Sequence, residues 1–160
     1  MIRTKITWRG SPEITLAEFR RSLKPELQFV GQVWHHRFLP RHFTTAAARR
    51  YGYKPRGASY SRYKAKRFGH RNPLVFTGDL KAMVERMGRV SSTSRSVSVR
   101  MTGPRYLYMY RKDYRQPDKA AELIATSADE REFLARLLDR RITRRMNDIT
   151  AAETVTDRSI

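Results

Sequence analysis

Hydrophobic positions along this 160-residue chain recur with two periods, and the switches between them divide it into elements. Ile2, Ile6 and Trp8 share one face of a period-two pattern, which predicts a short strand closed by Gly10-Ser11-Pro12. Helical spacing follows, first at Leu16, Phe19 and Leu23, then at Leu27, Val30, Trp34 and Phe38, ending near Leu39-Pro40. Pro25 interrupts where it would suit the first turn of a second helix, so 14–39 reads as one bent helix or two abutting ones. Thr44 to Arg50 is Ala-rich and helix-prone, Tyr51 to Gly57 is a break, and Ser59 to Arg67 predicts a short, very basic helix stopped by Gly69 to Pro73.

Leu80, Met83, Val84 and Met87 predict a further helix, with Thr77 placed to cap it and Gly88 to end it. Leu80, Ala82 and Val84 also alternate, which leaves a strand as the competing assignment. From Val90 the period is two: Val97, Val99 and Met101 oppose Ser96 and Ser98, and Tyr106, Tyr108 and Tyr110 oppose Leu107 and Met109. Two or three antiparallel strands follow, with Gly103-Pro104 as a turn. Ser127-Ala128-Asp129-Glu130 is a capping box opening a last helix with Phe133, Leu134, Leu137, Leu138, Ile142 and Met146 on its apolar face. After Asn147 the chain is polar, and 148–160 is expected to be a frayed tail.

There is no internal repeat, and the order of elements predicts one α+β domain over 1–147. Its long N-terminal and C-terminal helices pack on a small antiparallel sheet, and a basic helical or loop insert occupies about 41–73. No apolar run approaches the roughly 20 residues that span a bilayer, and the first residues lack the apolar core of a signal peptide, so a soluble protein is expected. The absence of cysteine excludes disulfides, thiolate metal sites and cysteine nucleophiles.

Charge changes the picture most. The formal net charge is +19, and between Leu27 and Gly78 the chain carries Arg37, Arg41, Arg49, Arg50, Lys54, Arg56, Arg62, Lys64, Lys66, Arg67 and Arg71 without one Asp or Glu. Tyr51, Tyr53, Tyr60, Tyr63 and Phe68 are interleaved with them. Such a stretch is either a solvated charge run or the contact surface for a polyanion or an acidic partner. The missing acids favour the second, because solvated faces mix signs. Arg49, Arg50, Lys54, Arg56, Arg62, Lys64, Lys66, Arg67 and Arg71 are the candidate contact residues: cations neutralise phosphates, and tyrosines stack on bases.

Catalytic chemistry finds little support. His35, His36 and His42 lie beside Arg37 and Arg41, which repel a metal cation, and His70 lies apart next to Arg71. The serines from Ser91 to Ser98 read as a turn and the polar face of a strand, and no Gly-x-Ser-x-Gly, Walker loop or paired-carboxylate pattern occurs. No enzyme activity, metal or cofactor is expected.

Phe43, Tyr51-Gly52-Tyr53-Lys54-Pro55-Arg56, Tyr60, Lys64, Gly69-His70 and Pro73-Leu74-Val75-Phe76-Thr77-Gly78-Asp79-Leu80-Lys81 together resemble tailed-bacteriophage head–tail connector proteins, also called neck, tail-completion or virion-morphogenesis proteins. The long preceding helix and the capped closing helix are similar too; Arg115-Gln116-Pro117 stands where members often have an Arg-Pro-Phe-like element, and lacks the Phe. The resemblance implies a non-enzymatic virion component, made in the host cytoplasm. It would assemble as a homo-oligomeric ring at the head–tail junction, with portal or adaptor and tail proteins as neighbours and genomic DNA in the lumen. It further implies a subunit interface on the strands near 90–110, for which Leu80, Tyr106, Tyr108 and Met109 are the candidates. The insert would then face the DNA or order on an adjacent ring. A stand-alone nucleic-acid-binding protein is the alternative.

Overall fold

The computed structural model describes residues 16–107 and 118–156. Helix α1 runs through Leu16–Val33 without a break at Pro25. Pro25 is exposed, so the carbonyl it deprives of an N–H partner can be hydrated, and of the two readings of this segment the single helix is the one formed through Pro25. A π-helical turn, Trp34–Phe38, and a 3-10 turn, Leu39–Phe43, carry the chain past the expected end at Leu39-Pro40. Changing the helical pitch brings Trp34, Phe38, Leu39 and Phe43 into one apolar cluster.

The insert is folded. Helices α2 (Ala47–Tyr51) and α3 (Ala58–Phe68) end on Gly52 and Gly69, both left-handed with φ of 66° and 71°. Helix α4 (Asp79–Met87) settles the helix–strand ambiguity in favour of the helix. Its N-cap is Gly78, and Thr77 instead donates its hydroxyl to the Asp79 carboxylate at 2.5 Å. Gly88 is extended rather than left-handed. What it supplies is space: a Cβ there would sit 1.9 Å from Nε2 of buried His35, which donates to the Val84 carbonyl at 3.0 Å.

Strands β1 (Arg89–Ser92) and β2 (Val97–Arg100) pair antiparallel, with Val90 opposite Val99 and Ser92 opposite Val97. They pack closely on α1 at Gly31, where a Cβ would meet Val97 Cγ2 at 2.4 Å and Val90 Cγ1 at 2.7 Å. Gln28 donates to the Val90 carbonyl at 2.8 Å, and Ser92 to the Lys24 carbonyl at 2.9 Å. Of the two or three strands expected, two form among the described residues, and Tyr106 and Leu107 lie in a 3-10 turn, Arg105–Leu107. Tyr108, Met109 and the expected strand at Ile2, Ile6 and Trp8 lie outside the described residues.

A short helix unforeseen from the sequence, α5 (Lys119–Leu123), is capped by Asp118, whose carboxylate accepts from the Ala120 and Ala121 amides at 3.0 Å each. Helix α6 spans Ala128–Thr156. Its capping box is reciprocal: Ser127 Oγ accepts from the Glu130 amide and Glu130 Oε2 from the Ser127 amide, both at 3.3 Å. The helix continues well past Asn147, which corrects the frayed tail expected from 148; Ala151, Ala152 and Glu153 are good helix formers. Arg141 fastens α6 to α1 by pairing with Glu26 and stacking over Phe29 at 3.8 Å.

The core joins Trp34, Phe38, Leu39, Phe43, Leu80, Val84, Leu107 and Leu123. Leu80 therefore cannot serve the subunit interface suggested for it: it is 2% exposed and inside the core of its own chain. The architecture is α+β, mostly helical, with a two-stranded antiparallel sheet and a long N-terminal helix. No described helix is long and apolar enough to cross a membrane.

Candidate functional site

The segment Tyr51 to Arg56 is held to the rest of the fold by three side chains. Tyr51 donates its hydroxyl to Glu130 Oε1 at 2.6 Å, so the capping-box glutamate serves both its own helix and the insert. Tyr53 Oη lies 2.5 Å from His42 Nδ1, and Arg56 grips Glu122 with two nitrogens, at 3.0 Å to Oε1 and 2.5 Å to Oε2. The rings of His42 and Tyr51 stack at 3.9 Å, and Tyr51 stacks on Tyr53 at 5.7 Å. Burial pushes both tyrosine hydroxyls well above their usual pKa, Tyr51 also through the Glu130 hydrogen bond and Tyr53 also through the Glu122 charge. Both hydroxyls therefore stay protonated at any ordinary pH. In Tyr51-Gly52-Tyr53-Lys54-Pro55-Arg56 the side chains of Tyr51, Tyr53 and Arg56 face inward as a clamp, and Lys54 faces water.

His42 is fully buried, and that burial lowers its pKa to about 4, against a smaller opposing contribution from the Glu122 carbonyl at 3.2 Å. A folded-state pKa below the unfolded value of 6.5 means that the folded chain binds the proton less well. Stability from this group is complete above pH 6.5 and is lost as pH falls towards 4, by up to about 3 kcal/mol. Urea denaturation across this window should show the loss in the native chain and a flatter profile in His42→Gln. Equal slopes in the two would assign the acid sensitivity elsewhere.

The candidate cations fall into three places. Arg49 and Arg50 on α2 flank an open groove against Ser127, Ala128 and Asp129 at the start of α6. Lys54, Arg56, Lys64 and Arg71 come together around one cleft, with Tyr60 beside them. Arg62 and Lys66 share the outward stripe of α3, and Tyr63 and Arg67 the next, since residues four apart stack along a helix. Arg49, Arg50, Lys54, Arg62, Lys66, Arg67 and Arg71 are exposed. Arg56 and Lys64 are different. Arg56 is committed to Glu122, and Lys64 is 4% exposed with its ammonium on the Asn72 carbonyl. Burial and the Arg56 charge lower the Lys64 pKa.

Among the suggested interface residues, Tyr106 lies in the 3-10 turn rather than a strand, and Leu80 is core. His42, Glu122 and Glu130 organise the site and were not legible as such in the sequence. Glu130 was recognisable as a capping residue, but a buried acid such as Glu122 has no local signature. No family model, curated protein or solved structure matches this chain.

Proposed function

We propose that this chain is a structural component of a tailed-phage neck, located in the virion. It assembles as a ring at the head–tail junction, as a tail-completion, terminator or adaptor protein, with the cationic side of α2 and α3 turned to the DNA passage. One observation carries the reading. Of the residues of the connector-like motif, Tyr51 and Arg56 clamp the insert to α6 and α5 and Tyr53 ties it to His42 of the 3-10 turn, and the clamped segment displays Lys54, Arg62, Lys66, Arg67 and Arg71 to solvent. A surface of fixed cations needs no reaction chemistry to be useful, because counter-ion release alone attracts a polyanion. A subunit with so unbalanced a charge also gains from neighbours of opposite sign.

Peptide mass spectrometry on gradient-purified particles tests this. The chain should be present in intact particles at a few copies per capsid; finding it only in the soluble fraction would sink the neck reading. That outcome would favour a stand-alone nucleic-acid-binding protein, a reading supported by Tyr60 and Tyr63, which are 42% and 54% exposed among the cations.

A further inference from the structure

Lys64 is the most deeply buried lysine or arginine among the described residues. It is 4% exposed, yet no acid pairs with it among the described residues. A buried ammonium carries three N–H donors. One goes to the Asn72 carbonyl, and the Tyr60 ring lies 5.9 Å away. The guanidinium nearby, Arg56, has its charge balanced by Glu122 and brings no relief to Lys64. Lys54 and Arg71 stand at the same cleft, both exposed and neither in an ion pair among the described residues. Proteins do not ordinarily bury a charge without its opposite. The cleft measures about 100 Å³, room for a group larger than a water, whose share of liquid volume is about 30 Å³.

We infer that this cleft, lined by Lys54, Arg56, Tyr60, Lys64 and Arg71, is a phosphate-binding site that seats one phosphodiester of a nucleic-acid strand. Lys64 donates its two remaining protons from the floor, and Lys54 and Arg71 close on the anion from the rim. The surroundings favour a nucleic-acid phosphate over an isolated anion. Tyr63 and Arg67 lie one helical turn apart on the stripe of α3 next to the one that carries Tyr60 and Lys64 into the cleft, and Arg62 and Lys66 continue the positive charge around the helix. Cations at successive steps with exposed aromatics between them suit a backbone with bases attached; a carboxylate side chain would leave Tyr60 and Tyr63 without a role. The site rests on the proposed function in naming DNA as the source of the phosphate.

The test is fluorescence anisotropy of the full chain with a labelled DNA duplex across a salt series. Lys54→Ser/Arg71→Ser should weaken binding by about 30- to 100-fold near 0.1 M salt and flatten the log–log salt slope by about 2. Arg144→Ser/Arg145→Ser removes as much charge from the exposed face of α6 and should cost less than about fivefold. Lys64→Met, provided that circular dichroism shows it folded, should behave like the cleft pair. Equal losses in cleft and α6 variants would overturn the site in favour of diffuse attraction. Competitors at matched ionic strength separate the other sources. Inorganic phosphate binding that depends on the cleft, with DNA binding indifferent to it, would make this a free-phosphate site; polyglutamate bound as tightly as DNA and as cleft-dependently would make it a protein-docking site. Either result overturns the inference. A chain found in particles whose DNA binding ignores the cleft sinks this inference and leaves the neck reading intact. Cleft-dependent DNA binding by a chain never found in particles supports the site and sinks the neck reading.

Discussion

Replacing Glu122 with Ala should lower the unfolding free energy by about 3–5 kcal/mol, the usual cost of leaving one member of a buried ion pair behind. The Glu122 side chain is 9% exposed and that of Arg56 20%, and their contact is bidentate, so neither group is much screened by water. Without the carboxylate, Arg56 remains at a cleft that already holds Lys54, Lys64 and Arg71, with no acid to balance it there. The lost hydrogen bonds also release the Tyr51-to-Arg56 segment from α5. The double variant Arg56→Met/Glu122→Leu should recover most of the loss, because it removes both charges and keeps the volume. Urea denaturation of the native, single and double variants measures both quantities. A loss below about 1 kcal/mol in Glu122→Ala, the range of exposed pairs, would mean that this bridge does not hold the insert.

The second large effect is on binding. Arg62→Ser/Lys66→Ser/Arg67→Ser should leave stability nearly unchanged, since all three side chains are exposed on α3 and none is in an ion pair among the described residues. DNA affinity near 0.1 M salt should nonetheless fall by about two to three orders of magnitude, and the salt slope should flatten by about 2–3, if each cation neutralises one phosphate. Lys64 does not belong in this set, although its sequence neighbours suggest it; its burial would confound a binding loss with a folding loss. In particles, the same variant separates the two roles open to the insert. Loss of DNA retention places these cations on the passage. Retained DNA with tails that fail to join places them on a neighbouring ring, and undiminished DNA affinity together with normal particles would leave them as a solvated face.

Regular elements were legible wherever the pattern was local. The closing helix followed from Ser127, Glu130 and the stripe from Phe133 to Met146; α4 from Leu80, Met83, Val84 and Met87; and the hairpin from the alternation around Val97 and Val99. These rest on side-chain spacing along one segment, which the backbone geometry alone converts into a buried face. What the local pattern did not show came from distant contacts. Gly88 ends α4 as expected, but the pattern did not show that its missing side chain also admits His35 from a segment some fifty residues earlier. Tyr106 and Leu107 alternate like a strand and form a 3-10 turn, with Leu107 drawn into the core.

Charge divides in the same way. That the chain would be strongly basic, and that its cations would crowd into 41–73, is composition and needs no structure. Which of those cations are free was settled only by folding. Arg56 is neutralised by Glu122, sixty-six residues along the chain. Lys64 is buried beneath Tyr60 and the Asn72 carbonyl, while Arg62, Lys66 and Arg67 on the same helix face water. Sequence order sets the charge a segment carries. Partner and exposure depend on residues that meet only when the helices pack, and so the site belongs to the tertiary structure.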